Sequence, residues 1–452
     1  MKKLGLFAGI LGFMIVASSV ASAAKAKNVI LMISDGWGYN QIAATNYWTE
    51  AKSQGYESFT FKSAMTTYSA SNTSGYDPSK AWANGNPDQA YLKTGATDSA
   101  AAITAMVTGV KTYDGKLNWS TSDLPLKNIT QYAKEAGKSA GAVSTVNWTH
   151  ATPAGMGAHS SGRSDYAGIA NEMIKTSGLD VIMGAGNPFY NNNGAEQTAN
   201  YNNVGGVTLW NSLVDGTAGY SLIQDRSAFQ GMATGNTPNK VVGTFKAYDT
   251  AQERRSGYLP EDLPGNDPLN INVPTLSEMS LAALNVLDNN SQGFVLTIEG
   301  GAIDWANHAK EKSRLIEEQM DFNSAVNSVF GWIGSNGGWD QNLLIVTGDH
   351  ETGMLLGPNG ETDVLNLGKD AMPGMEYFSG SHTNSLIPLF AQGAGSDLFA
   401  QYQLGYDPVR GKYIDNTDVF KVMQSQVVPE PSSIMSAIVI VGTLSAAFRR
   451  KK

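Results

Sequence analysis

Apolar residues run on without alternation at 28–33 (Asn-Val-Ile-Leu-Met-Ile), at 294–298 just ahead of Glu299, and at 342–347 around Leu-Leu-Ile-Val. A strand with one wet face alternates polar and apolar positions, so runs this uniform predict central parallel strands covered on both sides. Ser139 to Val146 and residues 179–186 predict two more buried strands, and 384–393 closes with a strand-like segment. Between the strands the spacing turns helical, at 95–109, 128–137, Ser313 to Ile333, and Thr275 to Asn289 through Leu276, Met279, Leu281, Leu284 and Leu287. The pattern predicts an α/β fold, a three-layer sandwich with a central, mostly parallel sheet flanked by helices. Residues 57–94 read as loops with short strands. Residues 187–272, dense in Asn, Gly, Thr and Pro, read as an elaborated surface region inserted between core units. No internal repeat is found.

Chemistry gathers where the apolar runs stop. Asp35 follows the first run, Glu299 ends the second, and Asp349-His350 follows the third. In open parallel sheets that carboxyl edge is where ligands bind. Asp304 and His308 are four residues apart and share one face if their segment is helical, as a metal-ligand pair or as a surface ion pair. Asp35 has the alternative of a cap or turn residue. Ser99 falls in the first turn of the 95–109 helix, either as a cap or as a nucleophile at a helix N-terminus that favours anionic oxygen. Arg163 is an ordinary surface arginine or an anion-binding one. Acids past several strands, with histidines at 308, 350 and 382, are hard to explain as caps and surface pairs.

Composition narrows the chemistry. The 452 residues are 42% hydrophobic with 49 glycines, enough for a large core and many tight turns. There is no cysteine, so disulfides and thiolate sites are excluded, and any zinc must use His and Asp/Glu. The net charge is −9 and basic residues are scattered, which argues against a nucleic-acid surface. An anionic substrate must then be drawn by a local positive site rather than by the global field.

Both ends read as processing segments. Lys2-Lys3, the apolar Leu4 to Val20 and Ala21-Ser22-Ala23 form a secretory signal with a small-residue cleavage site. At the other end Val428-Pro-Glu-Pro431, the apolar Ile434 to Phe448 and Arg449-Arg-Lys-Lys452 resemble a PEP-CTERM sorting tail of Gram-negative bacteria. That resemblance implies membrane insertion, cleavage near the motif, and export to the periplasm, cell surface or extracellular matrix. An ordinary C-terminal anchor is the alternative. The catalytic body would then span 24–427, with 1–23 the signal and 428–452 the tail. Removing both basic ends makes the body still more acidic.

Asp35-Gly36, Thr97-Asp-Ser99-Ala-Ala, Ala151-Thr152-Pro153 with Arg163, Glu299-Gly-Gly-Ala-Ile-Asp304-x-x-x-His308, Asp349-His350 and His382 resemble, in identity, order and spacing, the motifs of the alkaline phosphatase family. The set covers about 28–392. The resemblance implies a phosphomonoesterase with two zinc ions and one magnesium. Asp304, His308 and His382 match the first zinc's ligands, and Asp349, His350 and Asp35 the second's. Asp35 also bridges to magnesium, which Thr152 and Glu299 help hold. Ser99 matches the nucleophile that carries a phosphoserine intermediate, and Arg163 the arginine that grips phosphate. Two positions depart from the best-known bacterial pattern. His150 stands for an aspartate near magnesium, so it could ligate zinc or weaken magnesium there. Trp305 stands for a lysine near the phosphate. His159 is expected to be a hydrogen-bonded histidine without a metal role. A homodimer is also possible for such a chain, with any crown over the site kept small by the short stretch from His350 to His382.

Two other readings compete. A phosphodiesterase or sulfatase of the same superfamily is one, but Arg163 favours monoesters, and a sulfatase usually needs a cysteine-derived nucleophile. A catalytically inactive surface or matrix protein is the other, supported by the tail alone.

Overall fold

The computed structural model describes residues 25–428. The signal at 1–23 and the tail beyond Val428 lie outside the described residues. The first strand, β1 (Asn28–Ser34), is buried along its whole length. Val29, Leu31 and Ile33 enter one apolar core, and Ile30 and Met32 enter a second. Successive side chains of a strand point to opposite faces, so an unbroken apolar run is what two covered faces require.

Ten further strands complete one sheet. They are β2 (Phe61–Thr66), β3 (Ser139–Asn147), β4 (Val181–Ala185), β5 (Ser221–Ile223), β6 (Val241–Thr244), β7 (Phe294–Gly300), β8 (Asn342–Gly348), β9 (Ile387–Gly393), β10 (Gly405–Asp407) and β11 (Gly411–Asp415). Their order across the sheet is β10-β11-β2-β9-β8-β1-β7-β3-β4-β6-β5. From β8 through β5 every neighbouring pair is parallel. β9 runs antiparallel to both β8 and β2, and β10 antiparallel to β11.

The helices that matter for the site are α1 (Tyr39–Thr49), α2 (Ser99–Thr108), α3 (Ala151–Gly155), α4 (Leu276–Leu287), α5 (Ala302–Ala309), α6 (Lys312–Ser335) and α7 (Thr417–Val427). α2 and α7 cover one face through Ile103, Met106, Val419 and Met423. α1, α4 and α6 cover the other through Ile42, Met279, Leu284, Phe322 and Val326. The expected three-layer α/β sandwich is therefore the observed one. Helix ends follow local chemistry. Thr275 caps α4 in a reciprocal box, accepting from the Glu278 N–H at 3.1 Å while Glu278 accepts from the Thr275 N–H at 3.0 Å. Gly109 ends α2 in the left-handed conformation.

β2 is one of the short strands expected within 57–94, with polar Lys62 and Ser63 in its first half. Two differences from the expected layout have physical causes. Residues 187–272 do more than decorate the surface: β5 and β6 extend the sheet past β4 with only three and four residues each, too few for a period to register. Beyond 393 the chain adds β10, β11 and α7, which the apolar pattern did not announce.

Register places the chemistry. Ser34 pairs with Gly348 of β8 and with Gly300 of β7, so three neighbouring strands stop on one line. Gly36 then turns the chain with φ 73°, and a Cβ built on it would lie 2.7 Å from the Asp304 Cα. Gly36→Ala should therefore lower stability by about 1–2 kcal/mol from the left-handed backbone alone. It should also push α5 away from the sheet, measurable as a lower urea midpoint together with weaker metal binding.

A second anchor lies under the 250–272 loop. Arg314 of α6 is 1% exposed and pairs with Asp267 at 2.6 Å. Arg255 pairs with Glu317 of α6 at 2.6 Å and donates to the carbonyls of Gln252, Asp267 and Pro268. Removing one partner of a buried pair strands the other, so Arg314→Met should cost about 3 kcal/mol in denaturant unfolding.

Candidate active site

The N-cap of α2 is Asp98, whose Oδ1 accepts from the Ala101 N–H at 2.9 Å. The cap leaves Ser99 as the first helical residue, 1% exposed, with its Oγ 3.2 Å from His350 Nε2. His350 and Asp349 follow β8, Asp35 follows β1, and Glu299 is the penultimate residue of β7. α5 puts Asp304 and His308 on one face, with His308 Nε2 3.4 Å from Asp304 Oδ1. A two-residue pairing of Glu351–Thr352 with His382–Thr383 brings in His382, whose Nε2 lies 3.5 Å from the same oxygen.

The three histidines share one orientation. His308 Nδ1 lies 2.8 Å from the Gly380 carbonyl, and His382 Nδ1 lies 2.8 Å from the Thr97 carbonyl. A carbonyl only accepts, so each Nδ1 must carry a hydrogen. Thr352 donates its hydroxyl to Asp304 Oδ1 at 2.5 Å, so its oxygen accepts from His350 Nδ1 at 3.2 Å. Every Nε2 is therefore turned inward. Those of His308 and His382 face each other at 3.0 Å, close enough to share a proton or to bind one cation together. Outer-shell acceptors that fix a histidine's tautomer in this way are the usual support of metal ligands.

Three groups of ligand residues result, buried except for the half-buried His382: Asp304, His350 and His382; Asp35, Asp349 and His350; and Asp35, His150 and Glu299. Both oxygens of Asp35, Asp349 Oδ2, Glu299 Oε1, Thr152 Oγ1 and His150 Nδ1 are buried without a hydrogen-bond partner. Burial and the neighbouring carboxylates of Asp349, Asp304 and Glu299 drive the Asp35 carboxyl well above its ordinary range. Burial lifts Asp349 to about 6 and Glu299 to about 7, the latter against the hydrogen bond from Ser144. Burial pulls His350 well down, aided by His382. His382 resists its own burial and rises to about 9 through Asp304. So many carboxylates with so little fixed positive charge among them suit divalent cations, and the orphaned oxygens are the ligand atoms that such ions would take.

Arg163 completes the group. Its NH1 donates to Asp98 at 2.9 Å and its NH2 donates to His150 Nε2 at 3.0 Å. Burial and the Arg163 charge push His150 down to about 3, so it is neutral and accepts. Trp305 packs edge-on against His150 with centroids 5.6 Å apart. An open cleft of about 270 Å³ is lined by Ser99, His150, Arg163, Asp304, Trp305, His308, His382 and one residue that sequence reasoning missed, Arg254. Its loop has no period, and no motif marks it. A larger apolar cavity of about 360 Å³ beside α6 contains none of these groups. His159 stands apart as expected, bonded to Glu172 at 2.7 Å and to the Leu126 carbonyl at 2.9 Å. All the ligand, nucleophile and arginine positions singled out in the sequence thus converge. The first trio expected from the resemblance, Asp304, His308 and His382, has its ligand atoms within 3.5 Å of one another, and His350 joins Asp304 and His382 in an overlapping group.

Among the described residues no helix is long and apolar enough to cross a membrane. The alkaline phosphatase family profile matches residues 26–384. Alkaline phosphatase 4 of Bacillus subtilis is 30% identical over 344 residues, which make up 75% of this chain and 64% of that protein. Alkaline phosphatase H of Pseudomonas aeruginosa is 29% identical over 413 residues, covering 82% of this chain and 81% of the relative. The cold-active alkaline phosphatase of Shewanella sp. superposes with a TM-score of 0.66 at 24% identity, over 89% of this chain and 100% of that one. The enzyme of the Antarctic bacterium TAB5 gives 0.60 at 25% identity, over 89% and 98%. The matched span holds every ligand group described above, and on that footing the chain belongs to the alkaline phosphatase family.

Proposed function

We propose that the chain hydrolyses phosphate monoesters with divalent metal ions, through a phosphoserine on Ser99. One observation carries the reading. The Ser99 hydroxyl lies 3.2 Å from His350 Nε2, and His350 is common to two of the ligand groups. The nucleophile's oxygen thus stands where those two groups meet.

Asp304, His308 and His382 would hold one zinc, and Asp35, Asp349 and His350 a second, since nitrogen and carboxylate ligands suit zinc in a cysteine-free chain. Asp35, Glu299 and the Thr152 hydroxyl offer the hard oxygens that magnesium prefers. His150 adds a nitrogen to that third group, but its Nε2 already accepts from Arg163, so it can ligate through that atom only by releasing the arginine. Ions bound at these positions would polarise the phosphoryl oxygens and lower the pKa of a hydroxyl or a water.

The chain's own residues supply the rest. The first turn of α2 points free N–H groups and its positive dipole end at anionic oxygen beside Ser99. The Arg163 fork, held by Asp98 and His150, arrives already oriented to grip two unesterified phosphate oxygens. Ser99 Oγ attacks phosphorus, the alcohol leaves, and water then releases phosphate from the serine. Two in-line displacements retain configuration at phosphorus. A diester offers the arginine fewer free charged oxygens, which favours monoesters over the diesterase alternative. With nucleophile, arginine and ligand positions all filled, an inactive scaffold has no support from the site.

Ser99→Ala should abolish turnover of p-nitrophenyl phosphate while zinc content, measured by mass spectrometry, persists. Unchanged activity would sink the mechanism, and a preference for the bis(p-nitrophenyl) diester would sink the monoester assignment.

We also infer export from the Lys-Lys, apolar and Ala-Ser-Ala pattern at the front and the sorting-tail pattern at the back. Protein recovered from its native host should begin at Ala24 and have an intact mass that lacks the tail. A mass equal to the full chain would refute both cleavages.

A further inference from the structure

Arg254 ends a run of contacts that begins at the helix of the nucleophile. Asp98 holds Arg163, Arg163 donates to His150, and His150 meets the indole of Trp305. The guanidinium of Arg254 lies over that indole, 4.9 Å from its centre. Side-chain exposure rises from 24% at Arg163 to 52% at Arg254. Two arginines thus face one cleft, an inner one beside Ser99 and an outer one at the mouth.

The outer arginine is not a loose surface side chain. Its backbone N–H donates to Thr250 Oγ1 at 2.8 Å, and the next residue is the buried Arg255 that locks the loop to α6. The indole carries the guanidinium over its face. Its Nε lies 3.3 Å from Glu253 Oε2, and with five N–H donors the fork has others to offer an anion. The inner arginine and the ligand groups already account for the transferred phosphate. A chain of net charge −9, more acidic still without its basic ends, repels any substrate that carries further negative charge, unless a cation stands where that charge must sit.

We propose that Arg254, mounted on Trp305, is a second anion-binding residue, and that it selects phosphate monoesters whose alcohol portion bears another anionic group, a carboxylate or a second phosphate. The proposal rests on the phosphomonoesterase reading. The test compares phenyl phosphate with 4-carboxyphenyl phosphate on the metal-loaded protein. The ratio of kcat/KM for the carboxylated ester to that for the plain one should fall about tenfold in Arg254→Gln, chiefly through KM, as expected for one lost charge-assisted contact at a half-exposed site. Arg254→Lys should recover part of the ratio, and added salt should lower it in the wild type. A ratio unchanged in Arg254→Gln overturns the proposal. An equal fall on both esters overturns it too, since that places Arg254 on the transferred phosphate or in the fold. Hydrolysis of neither ester by the wild type would instead defeat the phosphomonoesterase reading beneath it.

Discussion

Asp35, Glu299, Asp304 and Asp349 are buried within one small volume at the carboxyl edge of the sheet. Four acids with two neutral histidines beside them form a charge distribution that a folded protein cannot hold unaided, because each buried, unpaired carboxylate costs several kcal/mol. Only two outcomes relieve it: protons, or cations. The raised positions of Asp35, Asp349 and Glu299 are the proton answer. The histidines suit the other, since acceptors fixed on each Nδ1 leave the Nε2 atoms aimed at a common point, as metal ligands require. The site is thus built around more positive charge than Arg163 and His382 supply.

The fold makes that concentration possible. Parallel strands in register deliver their ends to one line, and β1, β7 and β8 are neighbours. Residues more than three hundred positions apart in sequence become first neighbours without any long loop reaching across. Both sheet faces are covered, so the only exit for polar groups is the edge, and the acids collect there. The close approach of Gly36 to Asp304 shows how tightly the α5 segment is drawn against the end of β1. The ligand pair on α5 is placed by this packing more than by its own helix, which is only eight residues long.

This division explains what could be read from the chain alone. Uniform apolar runs announce doubly covered strands, and residues just past them announce the ligand edge, because both follow from local pattern. Asp35, Glu299, Asp349 and His350 were legible for that reason, whereas the roles of Asp304, His308 and His382 came from the resemblance of the motifs. β2, with polar Lys62 and Ser63, could be read only as one of the short strands of 57–94, without a place in the sheet. β5 and β6 are shorter than any detectable period. Arg254 carried no mark at all. Its position depends on a salt link of its neighbour Arg255 to α6 and on the face of an indole fifty residues away, and neither is a property of its own segment. The bond between Arg163 and His150 was hidden likewise, although both residues had been singled out.

That bond bears on how an acidic protein takes an acidic substrate. Arg163 gives one arm to Asp98, and this partly cancels its charge but fixes its plane. Its other arm rests on a neutral imidazole, which fixes the plane at no electrostatic cost because His150 is held uncharged. An arginine ordered before the substrate arrives loses less entropy on binding, and the cost of that order is a weaker long-range pull. Attraction at a distance must then come from elsewhere. Bound divalent ions would supply it at the centre. At the rim the same need is met by a guanidinium stacked on an aromatic ring, because an indole orients a cation without neutralising it. The inner and outer arginines are thus ordered by different means, one between a carboxylate and a neutral imidazole, the other chiefly on the face of an indole with the Glu253 carboxyl 3.3 Å from its Nε.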